Sequence, residues 1–360
     1  MKGRVLVAGF ATRHVVWSAY RAGYETYAID HFCDQDLCWY TKDHQIFEEM
    51  DELPLMIADL CKEKKIDILV VTSGAEDLIT GVSVCGSKAE CAGKFLDKLE
   101  IQKYFNELNI PVPPIAPDGE YPAMIKPCRG SGGWRNRVVH SAEEEAAWEE
   151  LRPEVPYVRQ KPISGTPCSV SCVSNGHEAR AVAINEQILR GGEGEKSYGF
   201  SGAVTPFSPT LSADLIKTAE KAVCRSGCVG SVGVDFIIND SAWAIEINPR
   251  FQATLDTVEM ATGCSVFEMH VNACRGVIPD KMPVPKQYAV RKILFAERNL
   301  TVRSNLKNLA PLIADIPQVG TEIEEGCAVV SVYGTGATRK DALDMLDIII
   351  RKMHICMSRW

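Results

Sequence analysis

The chain opens on a continuous apolar run, Arg4 to Ala8, of the kind buried on both faces of a parallel sheet. Gly9 to Arg13 follow as a loop, then a helix to about Ala22 that Gly23 ends, then a second strand from Glu25 to Asp30. This is a βαβ opening of doubly wound type. A helix is expected over Leu53–Lys64 and a strand over Asp67–Thr72. Asp97-Lys98 opens a helix to about Leu108, where Asn109-Ile110-Pro111-Val112-Pro113-Pro114 breaks it. Strands are expected at Ala123–Pro127 and from Tyr157. Cys168–Val173 and Glu178–Ile184 read as a hairpin around Asn175-Gly176. Ser212 is expected to cap a helix ending near Gly227. A strand over Tyr288–Glu297, a small β unit within 316–334 and a helix from about Arg339 complete the chain.

One stretch carries more chemistry than the rest. Val232–Arg250 is two apolar, β-prone runs around Asn239-Asp240-Ser241, and so a hairpin. With the turn centred on Asp240 and Ser241, Asp235 falls opposite Glu246, and cross-strand neighbours sit roughly 5 Å apart. Two like charges there are costly unless a cation bridges them. Asn248 shares the face, and the set Asp235, Glu246, Asn248 offers the oxygen ligands that suit Mg²⁺ held with a nucleotide's phosphates. The competing reading is an edge hairpin with its acids in water, and a three-residue loop would shift the pairing and separate the acids.

Glu246-Ile247-Asn248-Pro249-Arg250 resembles the E-I-N-P-R signature of the ATP-grasp superfamily. Other blocks follow in the same order. Asp97-Lys98, a helix, then N-I-P-V-P resembles the entry to that domain. The resemblance implies that Lys98 contacts phosphates, with Lys103 the competing choice. Ala123–Pro127 running into Cys128-Arg129-Gly130-Ser131-Gly132-Gly133-Trp134 resembles the phosphate-covering loop. Small residues there let backbone N–H groups close around phosphate oxygens, and Lys126 places a point charge on them. Tyr157–Gly165 resembles the hinge strand, which implies that Gln160, Lys161 and Ile163 surround the adenine. Thr166-Pro167-Cys168 replaces the acid that many relatives direct to the ribose. Arg190–Lys196 and the glycine-rich stretch to Pro206 read as a loop that closes over substrate or as a mobile surface loop.

The fold class expected is therefore α/β and α+β multidomain. Residues 1–90 form a doubly wound pre-ATP-grasp domain and 91–285 a two-lobed ATP-grasp domain with its glycine-loop lobe at about 113–165. Residues 286–360 form a small cap that resembles the C-terminal part of biotin carboxylase relatives, and the whole is similar to archaeal predicted ATP-dependent carboligases. The resemblance implies ATP and Mg²⁺ or Mn²⁺ as cofactors, a carboxylate activated as an acylphosphate, and an amine as acceptor. Arg250 would stabilise the transferring phosphoryl or the acylphosphate. Substrate contacts are expected from Arg13 at the first helix start and from Ser73, Gly74 and Glu76 at a carboxyl strand end. A solvated Arg13 is the plain alternative. Bicarbonate activation is the second enzyme reading. In biotin carboxylase relatives a glutamate lies four residues beyond the arginine, where this chain has Thr254, and no A-M-K-M biotin-carrier motif occurs. A non-catalytic nucleotide-sensing module is the third reading.

Composition narrows the partners. Of 360 residues, 46% are hydrophobic and 24% charged, enough for about two or three domains with a substantial core. The net charge of −8 argues against nucleic acid or an anionic membrane as main partner. No apolar run approaches the roughly 20 residues of a membrane span. A homodimer is left open. No secretory signal precedes the first strand, and the 14 cysteines contain no C-x-x-C, so a reduced, cytoplasmic protein is expected. Cys168/Cys172 and Cys224/Cys228 lack histidine neighbours for a metal site. A P-loop is excluded because Gly86-Ser87-Lys88 stands where G-K-[ST] is required. G-x-G-x-x-G is absent after the first strand.

Overall fold

The computed structural model describes every residue except Met1, Ser131 and Arg152. The opening βαβ pattern forms a parallel sheet of β1 (Arg4–Gly9), β2 (Glu25–Asp30), β3 (Asp43–Ile46) and β4 (Ile68–Val71), in the order β3-β2-β1-β4. The inner strand β1 and its neighbour β4 are near-continuously apolar because helices cover both faces, whereas the edge strand β3 is polar. The helix Leu53–Lys64 packs on one face. On the other, Val15, Val16 and Ala19 of the helix Arg13–Arg21 pack against Phe251, Leu255, Val258 and Phe267. The N-terminal sheet thus shares a core with the segment that follows Arg250.

A small lobe is built on β5 (Ala123–Pro127), β6 (Arg137–Val139) and β7 (Tyr157–Gln160), in the order β6-β5-β7. Trp148 of the helix Ala142–Glu150 fills its core beside Ile125 and Val139. The large sheet comprises β8 (Thr166–Asn175), β9 (Ala179–Leu189), β10 (Phe200–Thr205), β11 (Val229–Ile238) and β12 (Ala242–Asn248), and it continues into the C-terminal segment. There β13 (Tyr288–Phe295) is followed by β14 (Leu300–Thr301), β15 (Ile313–Ala314), β16 (Glu322–Ile323) and β17 (Ala328–Gly336). In the order β12-β11-β8-β9-β10-β13-β17-β15, the β17 part of the expected small β unit joins the large sheet, while β16 pairs with β14 in a separate two-stranded sheet. Antiparallel pairing of Gly202–Thr205 with Ala289–Lys292 covers the edge that β10 would otherwise expose. The helix Arg339–Met357 packs on this end through Leu346, Ile349 and Met353.

Local expectations hold at most element ends. Leu53–Lys64 is helical to the residue, and Ala123–Pro127 is a strand over the span expected. Ser212 departs from its expected role. It is the first residue inside the helix Ser212–Ser226, and its hydroxyl donates to the Pro209 carbonyl (2.5 Å) instead of capping an N–H. Gly227 ends that helix in the left-handed conformation, as glycine allows.

Candidate functional site

The hairpin β11–β12 places its acids as expected, by a route the sequence does not show. The turn is a three-residue loop, Asn239 to Ser241, with Ile238 paired to Ala242. That register alone would put Asp235 opposite Ile245. A β-bulge intervenes: Phe236 pairs with Ala244, Asp235 with Glu246, and Ile245 is the extra residue. The bulge restores the facing carboxylates. Asn248 lies between them, its amide donating to Asp235 (3.1 Å) and Glu246 (3.3 Å), while Gln187 of β9 donates to the other Asp235 oxygen (3.0 Å). Burial first, and then the Glu246 charge, push the Asp235 carboxyl well above the usual range. Such a pair is costly on its own, and its oxygen ligands fit a hard divalent ion that would hold both carboxylates ionised.

The acids border a cavity of about 360 Å³ between the small lobe and the large sheet. Lys126, Gly132, Gly133, Gln160, Lys161 and Ile163 line it from the small lobe and hinge; Asp235, Glu246, Asn248 and Arg250 face them. Lys126 is buried, bonded to Gln160 (2.9 Å), which is held in turn by Gln102 (2.9 Å). Burial lowers the Lys126 ammonium to about 8, against the opposing pull of Glu246. Lys161 extends to Glu120 (2.6 Å), while its backbone N–H is taken by the Pro114 carbonyl (2.7 Å). Gly165 permits the hinge to run against the backbone of Ile238, where a Cβ would collide with the carbonyl.

The glycine loop is docked, and the stretch expected to be a flexible loop is what it docks on. Phe200 donates to the Gly132 carbonyl (3.1 Å), Arg135 to that of Glu195 (2.9 Å), and the Lys196 ammonium lies over the Trp134 ring. Gly133 has φ +76°, and a Cβ there would strike the Tyr198 carbonyl. Gly133→Ala is therefore expected to hold the loop off Tyr198. Strain at positive φ alone costs about 1 kcal/mol, and the Tyr198 clash adds to it, so nucleotide affinity measured by titration calorimetry should fall by roughly fivefold or more. Ser131 lies outside the described residues.

A second cavity of about 240 Å³ lies across Glu246, Asn248 and Arg250 from the first. Lys98 lines it, its ammonium bonded to the Gly130 carbonyl (2.9 Å), whereas Lys103 is spent on an exposed pair with Glu100 (2.7 Å). Gly74, Gly130 and Glu76 also line it, and buried Glu76 binds Arg250 (2.7 Å). Two of the expected substrate contacts are not at either cavity. Ser73 offers its carbonyl to the Phe10 N–H (2.8 Å). Arg13 is neither solvated nor free for a substrate carboxylate, because it is buried and committed to Asp256 (2.6 Å), Asp315 (2.8 Å) and Asp36 (3.6 Å). The sequence reading also missed Gln187 and Gln102, neutral side chains that gain meaning only from the acid and lysine they hold.

One cysteine cluster has no local signature in the sequence. His270 and Cys274, four apart on the helix Val266–Cys274, meet Cys85 from the N-terminal unit. The His270 imidazole is occupied, however: Nδ1 accepts from the Ser231 N–H (2.8 Å) and Nε2 bonds the Cys85 carbonyl (2.8 Å). With both nitrogens on backbone groups, the cluster reads as packing between elements. No helix among the described residues is long and apolar enough to cross a membrane.

Comparison with known proteins shows what the chain and its fold are similar to. Residues 95–254 match the family model described as ATP-grasp domain. The large chain of carbamoyl phosphate synthase from Neisseria meningitidis serogroup B is 26% identical over 240 residues, covering 60% of this chain but only 22% of that one. An uncharacterized protein of Methanocaldococcus jannaschii is 22% identical over 354 residues, 91% of this chain and 87% of that one. The biotin carboxylase domain of Hydrogenobacter thermophilus 2-oxoglutarate carboxylase, solved with MgADP and bicarbonate, superposes with a TM-score of 0.77 at 16% identity, over 95% of this chain and 88% of that one. Phosphoribosylamine–glycine ligase of Thermotoga maritima gives 0.76 at 18% identity, over 97% and 96%. At these identities the solved structures establish the fold.

Proposed function

We propose that this chain, which carries an ATP-grasp domain over residues 95–254, is an ADP-forming ligase that activates a carboxylate and passes the acyl group to an amine. One observation carries the reading: Asp235 and Glu246, with Asn248 between them, face Lys126 and the glycine loop across one cavity. The 360 Å³ space is of ligand size and is lined by both lobes, as a nucleotide site requires.

Phosphoryl transfer asks a protein for positioning and charge stabilisation more than for a nucleophile. The Gly132–Gly133 backbone and Lys126 cradle phosphates, and the hinge from Gln160 to Ile163 borders the far end of the cavity where the base would lie. Asp235, Glu246 and Asn248 would hold Mg²⁺ or Mn²⁺, which when bound neutralises phosphate charge. Arg250 lines both cavities, so its guanidinium stands where phosphoryl would leave one and a carboxylate approach from the other. There it stabilises charge on the transferring phosphoryl and the acylphosphate. ADP leaves, and an amine attacks the acyl carbon, displacing inorganic phosphate and losing a proton to give the amide. Carbamoyl phosphate synthase and phosphoribosylamine–glycine ligase, by their names, lend support to ligation chemistry of this type.

The test is ADP release with Mg²⁺ on adding a library of carboxylates and amines. A stimulated, metal-dependent release is expected; nucleotide binding with no turnover on any pair would favour a sensing module. The Lys126 ammonium gives a further expectation. Its value near 8 lies below that of a free lysine, so its charge in the empty site is lost as pH rises through about 8. Phosphate favours the charged form. ATP should therefore bind more weakly at pH 9 than at pH 7, and the step centred above 8 should disappear in Lys126→Met.

A further inference from the structure

The second cavity has walls of opposite sign. The loop after β4 supplies Glu76 and Asp77; the facing wall supplies Lys98, Arg129 and Arg250 from three separate elements. Two ion pairs already cross it, Glu76–Arg250 (2.7 Å) and the exposed Asp77–Arg129 (3.4 Å). Phe95, Leu96 and Ile101 form an apolar floor. Arg250 holds the Asn248 side-chain oxygen (3.2 Å) and so stands beside the proposed metal and phosphates, with Glu76 against its other side; the Asp77–Arg129 pair is the exposed one.

Resting on the ligase reading above, we infer that the acid activated here is an amino-acid-sized zwitterion with an apolar side chain. Its carboxylate faces Lys98 and Arg250 at the phosphoryl end. Its ammonium is held by Asp77 and Glu76, and its side chain lies on Phe95, Leu96 and Ile101. A carboxylate without a cationic group leaves the acidic wall facing no charge of the ligand, which costs affinity when polar groups are desolvated. Size points the same way: 240 Å³ is room for roughly eight waters at about 30 Å³ each, and bicarbonate would leave most of it unfilled.

The experiment is titration calorimetry on the full chain carrying Mg²⁺ and a non-hydrolysable ATP analogue. The probes are L-leucine, L-methionine, isocaproate (leucine without its ammonium), isoamylamine (without its carboxylate) and bicarbonate. Either amino acid should bind at least roughly tenfold more tightly than isocaproate, isoamylamine or bicarbonate, the size of one charge-assisted contact. Asp77→Asn should weaken L-leucine by roughly tenfold and strengthen isocaproate, since Arg129 is then free; Asp77→Glu should restore L-leucine in part. A purely structural role for Asp77 would move both ligands in the same direction. Isocaproate or bicarbonate binding as tightly as the amino acids, no binding of either amino acid, or parallel shifts in Asp77→Asn would each overturn the inference while leaving the ligase reading intact. Failure of the ATP analogue to bind would overturn both.

Discussion

Glu246→Gln should lower metal-dependent ATP turnover by about 10³-fold, several kcal/mol of transition-state stabilisation, with thermal unfolding little changed. The amide keeps the shape and the contact with Asn248 (3.3 Å) but removes one of the two facing charges. It also relieves the Glu246 repulsion that adds to burial in raising the Asp235 carboxyl, so the melting temperature without metal should not fall. Steady-state ADP release with a melting curve on the same sample checks both halves. Turnover within a few-fold of the parent would remove these residues from the site. Arg250→Ala should lose turnover to a similar degree, but not on an undisturbed fold. It strands Glu76, which is buried and bonded to the Arg250 guanidinium at 2.7 Å, and an unpaired buried acceptor costs about 1–3 kcal/mol, more when charged. Pairing it with Glu76→Gln separates the two effects: stability should return in the double variant and turnover should not.

Arg13→Ala should destabilise the protein by about 3–5 kcal/mol, the cost of removing one partner from a buried ion network. Arg13 begins the first helix, Asp36 sits in the helix Gln35–Tyr40, Asp256 follows the ATP-grasp match, and Asp315 belongs to the C-terminal segment. Tyr333 donates to Asp256 (2.6 Å), and Arg291 holds the second Asp315 oxygen (2.8 Å). One guanidinium therefore ties three stretches of chain together. Burial alone would raise Asp256 and Asp315; Arg13, helped by Arg291, outweighs it and holds both below the usual carboxylate range. For groups depressed in the native state, the stabilisation is present above the unfolded pKa and is lost as pH falls. The deficit of Arg13→Ala should therefore be largest near neutral pH and shrink as the solution is acidified below about 4. Denaturant midpoints across that range provide the measurement. A deficit independent of pH would mean the loss is one of packing.

How much of this was legible depended on the range of the interaction. Lys126, Gly132, Gly133, Asp235, Glu246, Asn248 and Arg250 are found by reading outward from two short segments, because a strand running into a glycine loop and a hairpin with paired acids are local patterns. Gln187, Asp77 and Arg129 carried no such signal. Each acquires its role from a neighbour 48 or more positions away: Gln187 from Asp235, Asp77 and Arg129 from one another. Arg13 shows the hazard in the other direction. A basic residue at a helix start suggests an anion site, yet the anions it meets are the chain's own, delivered from positions 256 and 315.

The sequence by itself determined the order of the elements, the doubly wound start, the glycine loop and which face of the last hairpin carries oxygen ligands. These follow from side-chain periodicity and from turn residues, which act over a few positions. Only the tertiary structure decided that Ile245 bulges so that Asp235 meets Glu246 despite a three-residue turn. It alone decided that β13, β17 and β15 extend the large sheet, that the 195–200 stretch seats the glycine loop, and that a second cavity opens between groups of opposite charge. Register, edge pairing and cavity walls are set by which distant surfaces bury one another, and that choice is made by the packing of the whole chain.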